Sequence, residues 1–337
     1  MKYILGEPYI EINSTCNLSC IYCYHENRDN TFLTKDIIYK LVESLKELGA
    51  KEIKISGGEP MLHPDFFDIL RFIKKCGLKV NLVTNGTKIN SNNAMLLKDL
   101  CDLLTISMDS WDQFTNDQTR PNSYMSIIRA LEELKTVEAK SYYLGVVATK
   151  YNSDIASFIE LGKKYRIQGI IFESIHREGK AKDIFDDYFM NYNEYQRYKL
   201  LTEELKKAAP FEISTLPGFG GSCMLIEDIP VIRPRIDYNG NVYLCRSFLN
   251  TKMSVGNIYE HNLSEILEGE KTENLIVELK KRSNECGKCK KCFCKGEICQ
   301  GGCAAQAYNR SGTLFEVDDL CEWRKKQYIN IIKEKIL

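Results

Sequence analysis

The stretch Cys16-Asn-Leu-Ser-Cys20-Ile-Tyr-Cys23-Tyr24 places three cysteines in a C-x3-C-x2-C pattern. The alternating apolar residues at 8–13, just before it, predict a short β-strand, so the cysteines are expected on the loop that follows a strand. Three thiolates this close can bind three irons of one cubane iron–sulfur cluster and leave the fourth iron open to another ligand. A structural zinc ion with His25 as its fourth ligand is the alternative.

This strand begins a series of about six strand–helix units, which predicts a parallel sheet with helical crossovers. The predicted strands lie at residues 8–13, 52–56, 79–84, 103–108, 142–149 and 169–175. The predicted helices lie at residues 35–48, 65–76, 92–101, 123–136, 153–165 and 192–208. Six units are too few for a closed eight-stranded barrel, so the expected fold class is α/β, a partial (β/α)6 TIM-like barrel. Functional loops are expected at the carboxyl ends of its strands.

The regular alternation stops near residue 210, which predicts one domain at 1–215 and a second at 216–337. The glycine-rich residues 217–222 are interpreted as a linker. Residues 236–244 predict a hairpin around an Asn-Gly turn, and a helix is expected from about residue 322 to 335. The region between them is rich in cysteine, glycine and lysine. It has too little apolar sequence to form a core unaided, so bound metal is expected to stabilise it.

The charge balance, apolar runs and cysteine content limit the classes of protein to which the chain can belong. The 46 basic residues balance 46 acidic ones, which argues against a nucleic-acid-binding protein. No apolar run approaches the roughly 18 residues of a membrane span, and the start does not resemble a signal peptide, so a cytoplasmic protein is expected. In that reducing compartment the 14 cysteines indicate metal ligands rather than disulfides. With 4 histidines in the chain, sulfur ligation of iron–sulfur clusters or zinc is favoured.

From residue 8 to about 180 the chain resembles the radical S-adenosylmethionine (SAM) enzymes. The resemblance implies that Cys16, Cys20 and Cys23 bind a catalytic [4Fe–4S] cluster whose open iron is chelated by SAM. Reduction then yields a 5′-deoxyadenosyl radical that abstracts a substrate hydrogen. The resemblance also implies contacts with SAM. The backbone of the glycine-rich segment Gly57, Gly58, Glu59 and Pro60, together with the Glu59 side chain, would meet the ammonium group. Tyr24 would lie near the adenine, Ser107 at the ribose or carboxylate, Arg120 at the carboxylate, and Asn85 also belongs to the SAM site.

The C-terminal cysteines resemble the SPASM extension, which carries two auxiliary [4Fe–4S] clusters and would bring the total to three. The resemblance implies one cluster on Cys223, Cys245 and Cys303, and another on Cys289, Cys292, Cys299 and Cys321. Three departures stand out: one gap has six residues instead of five, Cys286 and Cys294 are additional, and the first auxiliary cluster lacks an obvious fourth ligand. Asp228, Cys286, Cys294 or an open iron remain possible there, and structural zinc remains the alternative for the paired C-x2-C units.

SPASM members mature peptides and proteins, so the resemblance implies a peptide substrate. The expected reaction is oxidative C–C, C–O or C–S crosslinking of a ribosomally made peptide, driven by a one-electron reductant such as ferredoxin or flavodoxin. The first strand begins near residue 8, so leader recognition, if needed, is expected from a separate protein or another surface. Sulfatase-maturing members carry an aspartate where this chain has Arg246, which argues against that activity without removing it.

Two further alternatives remain: an enzyme of the same scaffold that dehydrogenates or rearranges a small molecule, and a non-catalytic iron–sulfur or zinc scaffold. Glu173, His176 and Arg177, at the end of the sixth predicted strand, are candidate substrate contacts because that end of a strand faces the barrel mouth. Tyr143 is a candidate for the cavity wall.

Overall fold

The computed structural model describes residues 2–25, 29–216, 221–249, 251–296 and 299–336. The chain divides into two compact units. The barrel unit comprises Glu7–Leu216 and Ile236–Asn239, and the cysteine-rich unit comprises Met1–Gly6, Pro217–Arg235 and Gly240–Leu337. Most of the predicted linker, residues 217–220, lies outside the described residues. The predicted domains at 1–215 and 216–337 stay a prediction.

The regular elements of the described residues are as follows. The strands are β1 (Ile4–Leu5), β2 (Tyr9–Glu11), β3 (Glu52–Ser56), β4 (Lys79–Thr84), β5 (Leu103–Ser107), β6 (Tyr142–Ala148), β7 (Gly169–Ser174), β8 (Glu212–Ser214), β9 (Val231–Ile232), β10 (Arg235–Ile236), β11 (Asn241–Tyr243) and β12 (Gly256–Asn257). The helices are α1 (Lys35–Glu47), α2 (Phe66–Lys75), α3 (Ala94–Leu100), α4 (Gln113–Thr119), α5 (Tyr124–Thr136), α6 (Ser157–Tyr165), α7 (Ala181–Tyr188), α8 (Tyr192–Ala208), α9 (Leu263–Glu268), α10 (Glu270–Glu285), α11 (Ala304–Ser311) and α12 (Cys321–Ile336).

The barrel unit contains a parallel sheet in the order β2-β3-β4-β5-β6-β7-β8. Strand order follows chain order because each crossover returns the chain beside the preceding strand. The predicted α/β partial barrel is confirmed, and all six predicted strands are present. The strand β8 was not predicted. It has three residues and buries only Ile213, so it gives no alternating pattern to detect.

The core of the barrel unit lies between the sheet and its helices. On β3, Ile53 and Ile55 are fully buried. The helix α2 buries Phe66, Ile69, Leu70 and Ile73, which recur at helical spacing and so share one face. Each such side chain contributes roughly 1.5–3 kcal/mol to stability when fully buried. Apolar packing thus fixes the sheet, and the sheet fixes the loops at its carboxyl edge.

The cysteine-rich unit has short strands and four helices among its described residues. The strands β1 and β9 pair in parallel, and β11 and β12 pair antiparallel. The Asn239-Gly240 turn lies between β10 and β11, where a hairpin was predicted, and Gly240 has φ +83°. The final helix α12 lies where it was predicted, but α9, α10 and α11 were not predicted. No helix of the described residues is long and apolar enough to cross a membrane.

The helix α10 escaped prediction because its sequence is strongly polar. Its 16 residues bury only Thr272, Leu275, Ile276, Leu279 and Arg282. This segment is helical because it packs against other parts of the cysteine-rich unit, and not because of a strong amphipathic pattern.

Candidate functional site

A cavity of about 260 Å³ opens in the barrel unit, lined by loops that follow the carboxyl ends of the parallel strands. This is the edge at which functional side chains of such folds gather. The predicted residues that line it are Cys16, Cys20, Cys23, Tyr24, Gly57, Gly58, Asn85, Ser107, Arg120, Glu173 and His176. The lining also includes residues that were not predicted as contacts: Tyr9, Tyr22, His25, Ser174 and Glu178.

The three N-terminal cysteines face this cavity together. Cys20 is buried, and Cys16 and Cys23 are half-buried. Three N–H groups donate to their sulfurs: Leu18 N to Cys16 Sγ at 3.5 Å, Asn85 Nδ2 to Cys16 Sγ at 3.8 Å, and Arg120 Nη1 to Cys20 Sγ at 3.9 Å. Burial raises the pKa of the Cys20 thiol, and the positive charge of Arg120 opposes that rise.

This donor set fits an iron–sulfur cluster. Three soft thiolates share one cavity, and N–H groups near thiolate sulfurs are what stabilises and tunes such clusters. The zinc alternative with His25 as fourth ligand stays open. The His25 ring is tilted against the ring of Tyr24, with centroids 4.3 Å apart, and against that of Tyr238, with centroids 5.2 Å apart.

The glycine-rich loop after β3 lies directly against the chain that leads into the cysteine triad. Gly58 N donates to Asn13 O at 2.7 Å, and Glu59 N donates to Thr15 O at 2.7 Å. A Cβ at Gly57, which has φ +149°, would lie 2.5 Å from Asn13 O, and one at Gly58 would lie 2.3 Å from Thr15 O. Glycine is required at both positions because any side chain would push the two loops apart.

Glu59 lies behind the wall of the cavity, and its predicted contact with the SAM ammonium group stays a prediction. It is fully buried and does not line the cavity. Its carboxylate accepts hydrogen bonds from Thr84 Oγ1 at 2.7 Å, Asn85 N at 2.8 Å and Met61 N at 3.1 Å. Burial raises the pKa of Glu59, and these hydrogen bonds oppose the rise. The side chain therefore braces the glycine-rich loop against the end of β4, and the buried Pro60 likewise lies off the cavity.

Asn85 connects the end of β4 to the cysteine loop. Its Nδ2 donates to Asn17 Oδ1 at 3.0 Å as well as to Cys16 Sγ, and its Oδ1 accepts from Thr87 N at 2.9 Å. Ser107, the last residue of β5, is half-buried in the cavity wall. Both residues line the cavity, and their contacts with SAM stay predictions.

Asp109, which was not a predicted site residue, is a buried hydrogen-bonding centre behind the cavity. Its carboxylate accepts from Arg120 Nε at 3.1 Å, Thr119 Oγ1 at 2.8 Å, Val147 N at 3.0 Å and the hydroxyl of Tyr22. One carboxylate thus joins the cysteine loop, the end of α4 and the strand β6. The sequence offered one signal for this role. Asp109 lies two residues after Ser107, a predicted cavity residue at the end of a strand.

Arg120 is buried between this carboxylate and the cysteine loop. Its guanidinium carbon lies 5.4 Å from the centre of the Tyr22 ring. Burial alone would lower the pKa of Arg120, but the charge and hydrogen bond of Asp109, together with the charges of Tyr22 and Cys20, outweigh burial and raise the pKa. Arg120 therefore stays charged at the cavity wall. The sequence analysis did not select Tyr22. Its position between two predicted ligands, Cys20 and Cys23, could have indicated it.

The rim of the cavity carries two of the three predicted substrate contacts. Glu173 and His176 are exposed and line the cavity. Arg177 does not line it: its Nη2 pairs with Asp186 Oδ1 at 2.7 Å, and its guanidinium lies over the Phe185 ring at 4.2 Å. The helix that follows β7 offers Arg177 both a carboxylate and a ring, and its predicted contact with substrate stays a prediction.

The loop after β7 crosses the cysteine loop at a glycine. Gly179 has φ +51°, and a Cβ there would lie 2.3 Å from Tyr24 O. Lys180 N donates to Cys23 O at 2.9 Å. Tyr143, expected at the cavity wall, lies instead near the amino end of β6, where its hydroxyl donates to Glu212 Oε2 at 2.9 Å.

The C-terminal cysteines form two groups within the cysteine-rich unit. In the first, burial and the neighbouring thiols of Cys245 and Cys223 raise the pKa of Cys303 to about 12. Asp228 is exposed, whereas the charge of Glu227 acts on Cys223. The fourth ligand position of this group stays open as a prediction.

The second group contains both additional cysteines. Burial and a hydrogen bond with the Cys286 thiol raise the pKa of Cys289 to about 12. Cys286, Cys289 and Cys321 also pack in one buried cluster with Val317. Burial and the neighbouring Cys292 thiol raise the pKa of Cys294 to about 11, with a further contribution from Cys299. Cys286 and Cys294 thus have Cys289 and Cys292, respectively, as neighbours, and their role as cluster ligands stays a prediction.

Two buried arginines hold the loops that carry these cysteines. Arg282 donates to four backbone oxygens: Gly302 O at 2.9 Å, Leu314 O at 2.6 Å, Glu316 O at 2.7 Å, and Gly301 O. These carbonyl oxygens lie outside helices and strands. The guanidinium of Arg282, which has five N–H donors, satisfies them instead.

The second arginine acts through a carboxylate. Arg324 Nη1 donates to Asp318 Oδ1 at 2.8 Å, and Asp318 Oδ2 accepts from Cys303 N at 2.7 Å. Both side chains are nearly inaccessible. This pair fixes the backbone of a predicted cluster ligand.

Two family models match the chain. That of the Radical SAM superfamily matches residues 10–161, and that of an iron–sulfur cluster-binding domain, SPASM, matches residues 232–293. These matches cover the cysteine triad, the cavity wall up to α6, and part of the cysteine-rich unit.

Similar proteins include two curated relatives. The mycofactocin maturase MftC of Mycolicibacterium smegmatis is 26% identical over 325 residues, which is 92% of this chain and 81% of that protein. The probable GTP 3′,8-cyclase of Sulfolobus acidocaldarius is 29% identical over 194 residues, which is 55% of this chain and 62% of that protein. The match to the cyclase therefore spans less than two thirds of its length.

Among solved structures, Streptococcus suis SuiB bound to precursor peptide SuiA matches with a TM-score of 0.75 and 18% identity, covering 96% of this chain and 76% of that one. At this identity the likeness shows the fold alone.

Proposed function

We propose that this chain, which belongs to the radical SAM superfamily and carries an SPASM domain, is an enzyme that modifies a peptide by radical chemistry. The observation that carries the proposal is the cavity in which Cys16, Cys20 and Cys23 meet polar side chains from successive strand ends. The relatives favour a peptide substrate, since one is a maturase and another structure contains a precursor peptide.

Within this proposal the three N-terminal thiolates hold a [4Fe–4S] cluster, which, when present, supplies the electron for SAM cleavage and an open iron to bind SAM. Asn85 and Ser107 present hydrogen-bonding groups to the cofactor from β4 and β5. Arg120 presents a fixed positive charge that matches a carboxylate. Gly57 and Gly58 line the cavity, and their backbone is proposed to meet the SAM ammonium group, with Glu59 supporting the loop from behind.

The substrate is proposed to reach the cavity beside Glu173 and His176. Both side chains are exposed and both line the cavity wall, so they can meet a polar group of a peptide at its entrance. We further propose oxidative crosslinking as the reaction. In that case the C-terminal cysteine groups, each with at least three thiols, hold two auxiliary clusters that accept the surplus electron or bind a substrate thiolate.

A small-molecule substrate is the second candidate, favoured by the likeness to a GTP cyclase and by the modest cavity volume. The two candidates differ in what stimulates the enzyme. A peptide maturase should release 5′-deoxyadenosine faster with its peptide and change that peptide's mass by loss of two hydrogens.

The experiment is an anaerobic assay of the reconstituted enzyme with SAM and dithionite, followed by mass spectrometry. We expect 5′-deoxyadenosine from the natural sequence and none from the Cys16→Ala/Cys20→Ala/Cys23→Ala variant. Candidate precursor peptides and pooled polar metabolites are then compared as stimulants. Absence of SAM cleavage in an enzyme loaded with iron and sulfide would contradict the proposal, and stimulation by metabolites alone would transfer it to the small-molecule candidate.

A further inference from the structure

A lysine-rich loop surrounds the second cysteine group of the cysteine-rich unit. Residues 288–295 read Lys-Cys-Lys-Lys-Cys-Phe-Cys-Lys, with four lysines and no acidic residue in a chain of zero net charge. All four lysines are exposed, while Cys292 is half-buried directly among them. Positive charge is therefore concentrated over predicted cluster ligands.

Much of this charge is not neutralised. Lys288 Nζ lies 3.3 Å from Glu316 Oε2, and Lys295 Nζ donates to the neutral Asn284 Oδ1 at 2.7 Å. Lys290 and Lys291 make no ion pair with any residue in the described part of the chain. Two adjacent ammonium groups are thus available to an incoming anionic surface.

An exposed aromatic side chain lies at the centre of the loop. Phe293, between two cysteines, is 55% exposed, and its ring stacks on Tyr328 of α12 with centroids 5.8 Å apart. Ile331 and Ile332, three and four residues further along α12, are also exposed and share the helix face of Tyr328. An apolar centre with a charged rim is the usual composition of a protein–protein contact surface.

We propose that residues 288–295, together with the Phe293–Tyr328 pair, form the docking surface for a small acidic protein that carries one electron. Charge complementarity sets the sign of the partner. Phe293 lies between Cys292 and Cys294, so a protein that binds this ring has its surface next to the second cysteine group. This position indicates that the partner is an electron carrier. The role of this docking in catalysis rests on the proposed function, but the binding of the partner to this surface does not.

The test uses an acidic flavodoxin as the probe and the full-length reconstituted enzyme. The variant Lys290→Glu/Lys291→Glu should weaken flavodoxin binding by about tenfold at low salt and flatten its dependence on salt. The matched control is Lys206→Glu/Lys207→Glu, an adjacent exposed lysine pair in the last turn of α8 that also makes no ion pair among the described residues. Phe293→Ala should likewise weaken binding by about tenfold, because aromatic anchors carry much of the energy of such contacts.

Equal affinity of both lysine variants, or no binding by the natural sequence at low salt, would overturn the proposal. An acidic peptide of the same net charge that displaces flavodoxin as well as unlabelled flavodoxin does would overturn the assignment to an electron carrier. Iron content and melting temperature must match between the variants, so that lost binding reports the surface and not a lost cluster.

A second readout separates this proposal from the proposed function. Each SAM cleavage consumes one electron, which flavodoxin hydroquinone supplies by becoming the semiquinone. Flavodoxin-driven formation of 5′-deoxyadenosine should fall about tenfold in Lys290→Glu/Lys291→Glu, in proportion to the lost binding. Formation driven by dithionite, which needs no docking, should not change. If the natural sequence cleaves no SAM with dithionite, the proposed function fails, while the binding comparison still decides the docking surface.

Discussion

In the barrel unit, three cysteines share one loop whose position is set by a parallel sheet and its apolar core. In the cysteine-rich unit, the cysteines are spread from residue 223 to residue 321 and their loops are held by polar contacts of Arg282 and Arg324. The first arrangement needs no metal to place its ligands. The second buries apolar side chains on its helices, such as Leu267, Leu275 and Leu279, contrary to the expectation from the sequence. Its cysteine loops depend on polar contacts, so metal binding and the ordering of those loops should be linked there.

Metal removal is the largest test of this difference. After chelation of iron under reducing conditions, amide hydrogens at residues 286–303 should exchange at least about tenfold faster, because their loops lose the metal that joins them. Amides of β3 and β4 should keep their protection, since their core is apolar. Equal loss of protection in both units would show that the two units do not differ in their dependence on metal.

Replacement of Arg282 by methionine tests the polar contacts directly. The variant leaves four buried carbonyl oxygens without their donor, which should lower the free energy of unfolding by at least about 3 kcal/mol. The cysteine-rich unit should therefore lose iron and melt earlier, as measured by iron analysis and calorimetry. Arg310→Met is the control, because Arg310 is exposed and its Nε lies 3.7 Å from Asp319 Oδ1. A loss of iron as large in the control would refute this role for Arg282.

Asp109→Asn tests the equivalent polar centre of the barrel unit. Removal of the charge leaves Arg120 buried without its partner, which should cost roughly 3–5 kcal/mol. The guanidinium should then shift from Cys20, so the midpoint potential of the N-terminal cluster, followed by electron paramagnetic resonance, should change while the iron content stays constant. Asp112→Asn, at the exposed amino end of α4, should leave that potential unchanged. An unchanged potential in Asp109→Asn would show that Asp109 has no influence on the cysteine loop.

The smallest expected effect concerns the cavity rim. Glu173→Gln and His176→Ala should lower the yield of modified substrate by about tenfold, while SAM cleavage without substrate stays near its natural rate. The physical reason is that both side chains are exposed and line the cavity at its rim. Arg177→Ala, whose guanidinium points to Asp186, is the matched control and should keep its product yield. Equal losses in all three variants would indicate a structural role for the loop.

The sequence could predict the barrel because strands and helices there alternate with strong apolar periodicity, and because strand ends meet at one edge. The residues of the cavity wall were named mainly by the resemblance to radical SAM enzymes, and the strand ends explain why they meet. The sequence could not predict the direction of Glu59 or Arg177, because each has a competing partner from a distant element, Asn85 in one case and Asp186 in the other. Asp109 was missed for the same reason, since its four donors come from three separate segments of the chain.

The cysteine-rich unit was predicted less completely. Cysteine spacing indicated clusters, but the polar helix α10 gave little pattern and the grouping of Cys286 with Cys289 depends on the fold of the loop. The metal itself supplies order that no local propensity encodes.

The most direct test of the account is the content of iron and acid-labile sulfide per chain after anaerobic reconstitution. Three [4Fe–4S] clusters predict about twelve irons and about twelve sulfides. The Cys16→Ala/Cys20→Ala/Cys23→Ala variant should lose about four of each and keep the rest. About four irons together with one or two zinc ions in the natural sequence would contradict the account, because the C-terminal cysteines would then be a structural zinc site.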